Sequence, residues 1–281
     1  MYIGTTTSGR KERFIIVEKG DSAQSLLVFS QEEQITNLII SSKESGLDVL
    51  SDKSFAPLFK EIKILHLKNI SINKNWLYQF VNLKRLEAKG CQYKGKEPLD
   101  WLIFTGLEEV FTPYSKLFEN LFVHPTLKTV FIENFDKEGF VFPLNTVIES
   151  LSIEKSKECT WSSLVNLSSL KALYLVKIPT LIDITWLSKL TQLEDIEISG
   201  CKEVSNLITS IAEINTLNTV YLSSMGDIES LKPLEKLQNI KELTIETEGR
   251  LIDKKSSTVL NKLTGLEYSI EMKNYIDSND N

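Results

Sequence analysis

Cysteine and histidine are scarce in this chain, three and two among 281 residues. Cys91, Cys159 and Cys201 are odd in number and widely separated, so they do not form the paired framework that staples small secreted domains. His66 and His124 lie far apart, with no Cys or carboxylate partners at ligand spacing, so neither a metal nor a cofactor is expected. No apolar run approaches the roughly 18 residues of a membrane-crossing helix, and no membrane partner is expected. The opening MYIGTTTSGRKER is basic, but the FIIV that follows is too short for the core of a secretory signal and is soon interrupted by Glu18, Lys19 and Asp21. The chain therefore reads as cytoplasmic. Basic residues, 32, are outnumbered by acidic ones, 38, and the net charge of −6 argues against nucleic acid as a partner.

What the chain has in quantity is aliphatic residues at a fixed interval. In 167–201, LSSLKALYLVKIPTLIDITWLSKLTQLEDIEISGC, Leu170, Leu173 and Leu175 are spaced L-x-x-L-x-L. Leu193, Ile196 and Ile198 repeat that spacing about 23 residues later. Each copy is led in by apolar residues three apart: Leu164, Leu167, Leu170, and Leu187, Leu190, Leu193. The alternating part predicts a short strand with one apolar face, and the three-spaced part suits a 3₁₀ or helical turn. The register extends through first positions Ile35, Ile62, Leu83, Leu107, Leu127, Ile148, Leu170, Leu193, Leu217, Ile240 and Leu266, with departures at Ala88, Thr112 and Ser269. One such unit cannot bury its apolar side alone; stacked on copies of itself, it can.

Residues 1–34 fall outside the register. Phe14 to Val17 and Leu26 to Phe29 are apolar runs around a polar turn, and they predict two short strands forming a cap. The cap would cover an exposed core end and an unpaired strand edge. The long first interval suggests a loop over 42–54 leading into a helix. Trp76, Phe80, Trp101, Phe104, Phe118 and Phe122 fall near helical spacing in the connectors and are expected to fill the core there. Cys91 and Cys201 hold the same place in their repeats and are read as buried thiols. The repeats occupy 35–271, about ten to eleven of them, and 272–281 reads as a flexible tail.

Catalytic motifs are missing. Gly90 to Lys96 spells G-x-x-x-x-G-K after a strand, but Glu97 stands where Ser or Thr is needed for Mg²⁺, and no crossover unit surrounds it. Asn69-Ile70-Ser71 and Asn166-Leu167-Ser168 match the glycosylation acceptor, which matters only on a secretory route. No enzyme is expected.

The L-x-x-L-x-L register resembles that of the leucine-rich repeat family, in a bacterial-type form without cysteine-rich caps. The resemblance covers 35–271. It implies an α/β solenoid with a parallel sheet on a concave face, short helices or 3₁₀ turns on the convex face, and protein ligands bound on the concave side. With the apolar positions turned inward, the residue between the last two points out. That column reads Ile39, His66, Glu87, Phe111, Phe131, Ser152, Tyr174, Glu197, Tyr221, Thr244. Its aromatics are of the type that supplies interface hot spots; alternatively they stack on one another. Outward charge is basic early (Lys63, Lys68, Lys84, Arg85, Lys89) and acidic later (Glu133, Glu154, Glu194, Asp195, Glu197, Glu242, Glu246).

The expectation is a monomeric, non-enzymatic scaffold that binds a protein with a basic patch through Phe111, Phe131, Glu133, Glu154, Tyr174, Asp195, Glu197, Tyr221 and Glu246. A cytosolic bacterial immunity protein that masks a basic toxin fits this description. An exported adhesin or effector that binds a host protein is the alternative.

Overall fold

The structure is a computed structural model, and it describes residues 2–5, 12–18, 20–42, 52–157 and 159–273. The chain divides into two compact units, 1–132 and 133–281. In the first, β1 (Tyr2–Thr5) runs antiparallel to β2 (Arg13–Ile16). Helix α1 (Ala23–Glu33) follows. Then come β3 (Asn37–Ser41), β4 (Ile64–Lys68), β5 (Ser71–Ile72), β6 (Arg85–Lys89), β7 (Gln92–Tyr93), β8 (Leu99–Asp100), β9 (Glu109–Pro113), β10 (Phe118–Glu119) and β11 (Thr129–Glu133). The sheet order is β1-β2-β3-β4-β6-β9-β11, while β5 with β7 and β8 with β10 make two small parallel ladders beside it. The second unit is a parallel run of β12 (Ser150–Glu154), β13 (Ala172–Val176), β14 (Asp195–Ser199), β15 (Thr219–Ser223), β16 (Glu242–Thr247) and β17 (Glu267–Met272).

Each repeat builds its strand as the spacing requires. Leu151 pairs with Leu173, Leu173 with Ile196 and Ile196 with Val220, all buried, and the next inward column, Ile153, Leu175, Ile198, Leu222, is buried as well. Most strands leave the sheet through one left-handed residue: Asn69, Gly90, Asn134, Lys155, Lys177, Gly200 or Ser224. The residue after it turns back into the core, and there Cys91 and Cys201 sit as buried free thiols, their pKa values raised by burial. Cys159 is also free, half-buried, and pushed up to about 12 by burial. The connectors carry short helices and 3₁₀ turns, among them Trp101–Ile103, Trp161–Asn166 and Thr185–Lys189. Phe80, Trp101, Phe104 and Phe122 are buried there, with Phe59 and Phe80 stacked at 4.5 Å. Trp76 and Phe118 are only partly buried.

Three expectations change. Leu26 to Phe29 is helix, not strand: the Ser22 hydroxyl accepts the Ser25 N–H at 3.1 Å, and Leu26 and Ser30, four apart, share the buried side. A four-residue apolar run carries no period of its own, and here the cap at Ser22 decides. The last repeat sits one residue earlier than Leu266 implies. Tyr268 pairs with Leu243 and Ile270 with Ile245, so Ser269 lies on the outer face and interrupts nothing. Met272, expected in the tail, ends β17, while 274–281 lie outside the described residues. Of the long first interval, 43–51 also lie outside them; helix Ala56–Glu61 follows. Thr112, which departs from the apolar register, is buried with its Oγ1 2.8 Å from the Tyr93 hydroxyl. That hydrogen bond is what makes a hydroxyl tolerable in the core.

Candidate functional site

The face of each sheet opposite the core carries the outward column, and the two units present different surfaces there. In the first unit, Ile39 and His66 are buried, not exposed to a ligand. Phe14 and Ile16 stand on the same face and form an apolar cluster with Ile39, against which Ile64 packs; the Phe14 ring lies 4.4 Å from that of His66. Arg85, expected as surface charge, is buried as well, among the carboxylates of Glu12, Glu87 (3.2 Å) and Glu109 (3.9 Å). His66 Nε2 is 3.0 Å from the same Glu87, outside good hydrogen-bond geometry. The apolar residues of β2 therefore close the early part of the face. Lys63, Lys68, Lys84 and Lys89 remain exposed, with Lys84 paired to Glu108 at 3.1 Å. Phe111 and Phe131 are half-buried, their rings stacked at 6.2 Å on adjacent strands.

The second unit is open and acidic. Ser152, Tyr174, Glu197, Tyr221 and Thr244 lie side by side in one row across β12 to β16, each half-buried. Beside this row stand Glu154, Asp195, Glu242, Glu246, Glu267 and Glu271, and no outward strand position from β12 to β17 holds Lys or Arg. Burial, then the nearby Glu154, pushes the Glu197 carboxyl above its ordinary range. Burial, followed by Asp195 and Glu197, raises Tyr174. The Tyr221 hydroxyl donates to Glu246 Oε2 at 2.8 Å, which raises that phenol too. Glu154 meets Lys155 at 3.1 Å and Lys177 at 3.7 Å, both from the turns at the strand ends. A face of this kind, without a cation on its strands and holding the Glu197 carboxylate at a cost, is electrostatically unfinished.

Of the expected site residues, Glu154, Tyr174, Asp195, Glu197, Tyr221 and Glu246 come together on this one surface. Glu133, at the end of β11, is half-buried, and Phe111 and Phe131 belong to the first unit. A hollow of about 560 Å³ adjoins the row, lined by Glu246, Glu248 and Glu271 together with Met225, Lys202 and Lys273. Glu271 joins this face, paired with Glu246, because the last strand sits one residue earlier than the spacing from Leu266 implies.

The L-x-x-L-x-L register and the parallel ladders it builds define the class by fold: the chain has the leucine-rich repeat fold. No family model matches the chain, and no curated protein does. Among solved structures it is similar to internalin C2 of Listeria monocytogenes, with 20% identity and a TM-score of 0.43 over 77% of this chain and 84% of that one. It is also similar to the internalin inlF of that organism, with 16% identity and a TM-score of 0.43 over 91% and 94%. A third likeness is the plant peptide hormone receptor RGFR1 in complex with RGF2, with 12% identity and a TM-score of 0.43 over 84% of this chain and 39% of that one.

Proposed function

We propose that this chain is a protein-binding scaffold, without catalysis of its own, that engages a basic partner through the open sheet face of 150–271. The observation that carries this reading is the row Tyr174, Glu197, Tyr221 among carboxylates with no cation at any outward strand position from β12 to β17. Two amphipathic rings at low entropy cost and a field of one sign suit a cationic protein surface better than a neutral ligand. Acting in the cytosol as a monomer, such a scaffold would mask its partner as an immunity protein masks a basic toxin. Pull-down from the native lysate tests this, with wild type and a Tyr174→Ala/Glu197→Lys/Tyr221→Ala variant as baits. Wild type should retain a basic protein that the folded variant loses, by at least about 30-fold in affinity. If the partner is a toxin, stoichiometric wild type should also abolish its activity. Equal recovery on both baits would move the site off this face.

A further inference from the structure

The motif that failed as a nucleotide loop ends beside a cavity in the first unit. The parallel register of β5 and β7 pairs Ser71 with Gln92 and Ile72 with Tyr93, so the turns that follow run side by side: Asn73-Lys74-Asn75, the cap and first turn of a short helix (Lys74–Leu77), from one repeat, and Lys94-Gly95-Lys96 from the next. Gly95 takes a φ of +144°, which a side-chain-bearing residue rarely adopts, and this permits the second turn. Together the two turns rim a cavity of about 260 Å³ whose lining includes the buried Ile72 and Leu99. That volume lies just below the roughly 300 Å³ at which drug-sized pockets begin, so the occupant must be small.

Donors dominate the rim. Lys74, Lys94 and Lys96 bring three ammonium groups, and Asn73 and Asn75 bring side-chain amides. Asn73 Oδ1 is already taken by the Asn75 N–H at 2.8 Å. The Tyr93 hydroxyl is committed to Thr112. The lone carboxylate, Glu97, is bound to Lys74. Lys94 and Lys96 are exposed and form no ion pair with any described residue, so both ammonium groups are free to meet an anion at the rim. A carboxylate would answer one of them. A phosphate monoester, with close to two negative charges near neutral pH and three acceptor oxygens, would answer both.

We infer that this cavity is a binding site for a small phosphate monoester, with Lys94 and Lys96 holding the phosphate and Ile72 and Leu99 flooring an apolar substituent. The site is independent of the acidic face, and either can fail without the other. Titration calorimetry on the full chain tests it with phenyl phosphate, inorganic phosphate and benzoate. Phenyl phosphate should bind saturably at one site, more tightly than inorganic phosphate, and benzoate about tenfold more weakly still. The Lys94→Gln/Lys96→Gln variant, with an unchanged thermal midpoint, should lose at least about tenfold in affinity for phenyl phosphate. Lys94→Arg/Lys96→Arg should retain it. No saturable heat up to roughly tens of millimolar phenyl phosphate, or equal binding by the Gln variant, would overturn the proposal. Benzoate binding as well as phenyl phosphate would overturn its assignment to a dianion.

Discussion

His124 shows how one side chain is fixed by its neighbours. It is buried, its Nε2 lies 3.0 Å from the Phe104 carbonyl, and its Nδ1 lies 3.4 Å from the Thr126 N–H. The neutral ring with its proton on Nε2 satisfies both contacts, whereas a second proton on Nδ1 would turn an acceptor into a donor facing a donor. Burial holds its pKa below the ordinary value, despite the carbonyl's pull the other way. Between the two values the unfolded chain binds a proton that the folded one does not, so His124 costs stability as pH falls through that window. Urea unfolding at about pH 7.5 and 5.5 should show wild type losing more stability on acidification than His124→Gln; parallel losses would show that His124 contributes none of it. At the higher pH the variant should be less stable by about 1–2 kcal/mol, having lost a buried hydrogen bond. The pKa of Glu197 is shifted in the opposite direction. Its raised pKa means the free face holds a proton into a higher pH range, and a cationic partner favours the ionised form. Affinity should therefore rise with pH through the Glu197 titration and level off above it, while Glu197→Gln should bind with a flatter profile.

At the scale of the element, the repeat turn is the unit under most constraint, because successive turns stack backbone on backbone. A Cβ on Gly249 would sit 2.1 Å from the Gly226 carbonyl oxygen and 2.6 Å from its carbon, atoms that cannot swing aside. Gly249→Ala should cost about 2 kcal/mol or more, measured by denaturant unfolding. Gly139→Ala is a poor control, since Gly139 is itself left-handed at φ +66°. Gly106, with open space around its Cβ position and no positive φ, is the better one, and substitution there should stay within about 0.5 kcal/mol. Near-equal destabilisation by the two alanines would remove the stacking argument.

Across the molecule, the proposed function makes charge govern the encounter with a partner. The net charge is −6, and the carboxylates of 150–271 concentrate part of it on one face. Association with a basic partner should slow by about tenfold or more between roughly 0.05 and 0.5 M salt, with little change in the dissociation rate. Stopped-flow mixing at several ionic strengths measures both. A salt-independent association rate would leave the tyrosines, not the field, as the basis of recognition. The open row from Tyr174 to Tyr221 is legible in the sequence, because a strand alternates its faces and the repeat sets the register. The closed part was not. Ile39 and His66 occupy the same column and Arg85 the one beside it, yet Phe14, Ile16 and Glu12 meet them from a segment that lies outside the repeat.

The sequence by itself determined the repeat and which residues face the core. Each copy states the same spacing, and backbone geometry converts spacing into face with no further information. It also placed Cys91 and Cys201 inside, because they follow the strand-exit turn of their repeats. Tertiary structure alone decided how α1 and β2 close one end, which residue begins the last repeat, and that lysines about 20 residues apart rim one cavity. These outcomes depend on contacts between segments whose separation follows no period, and a pattern can carry only what recurs.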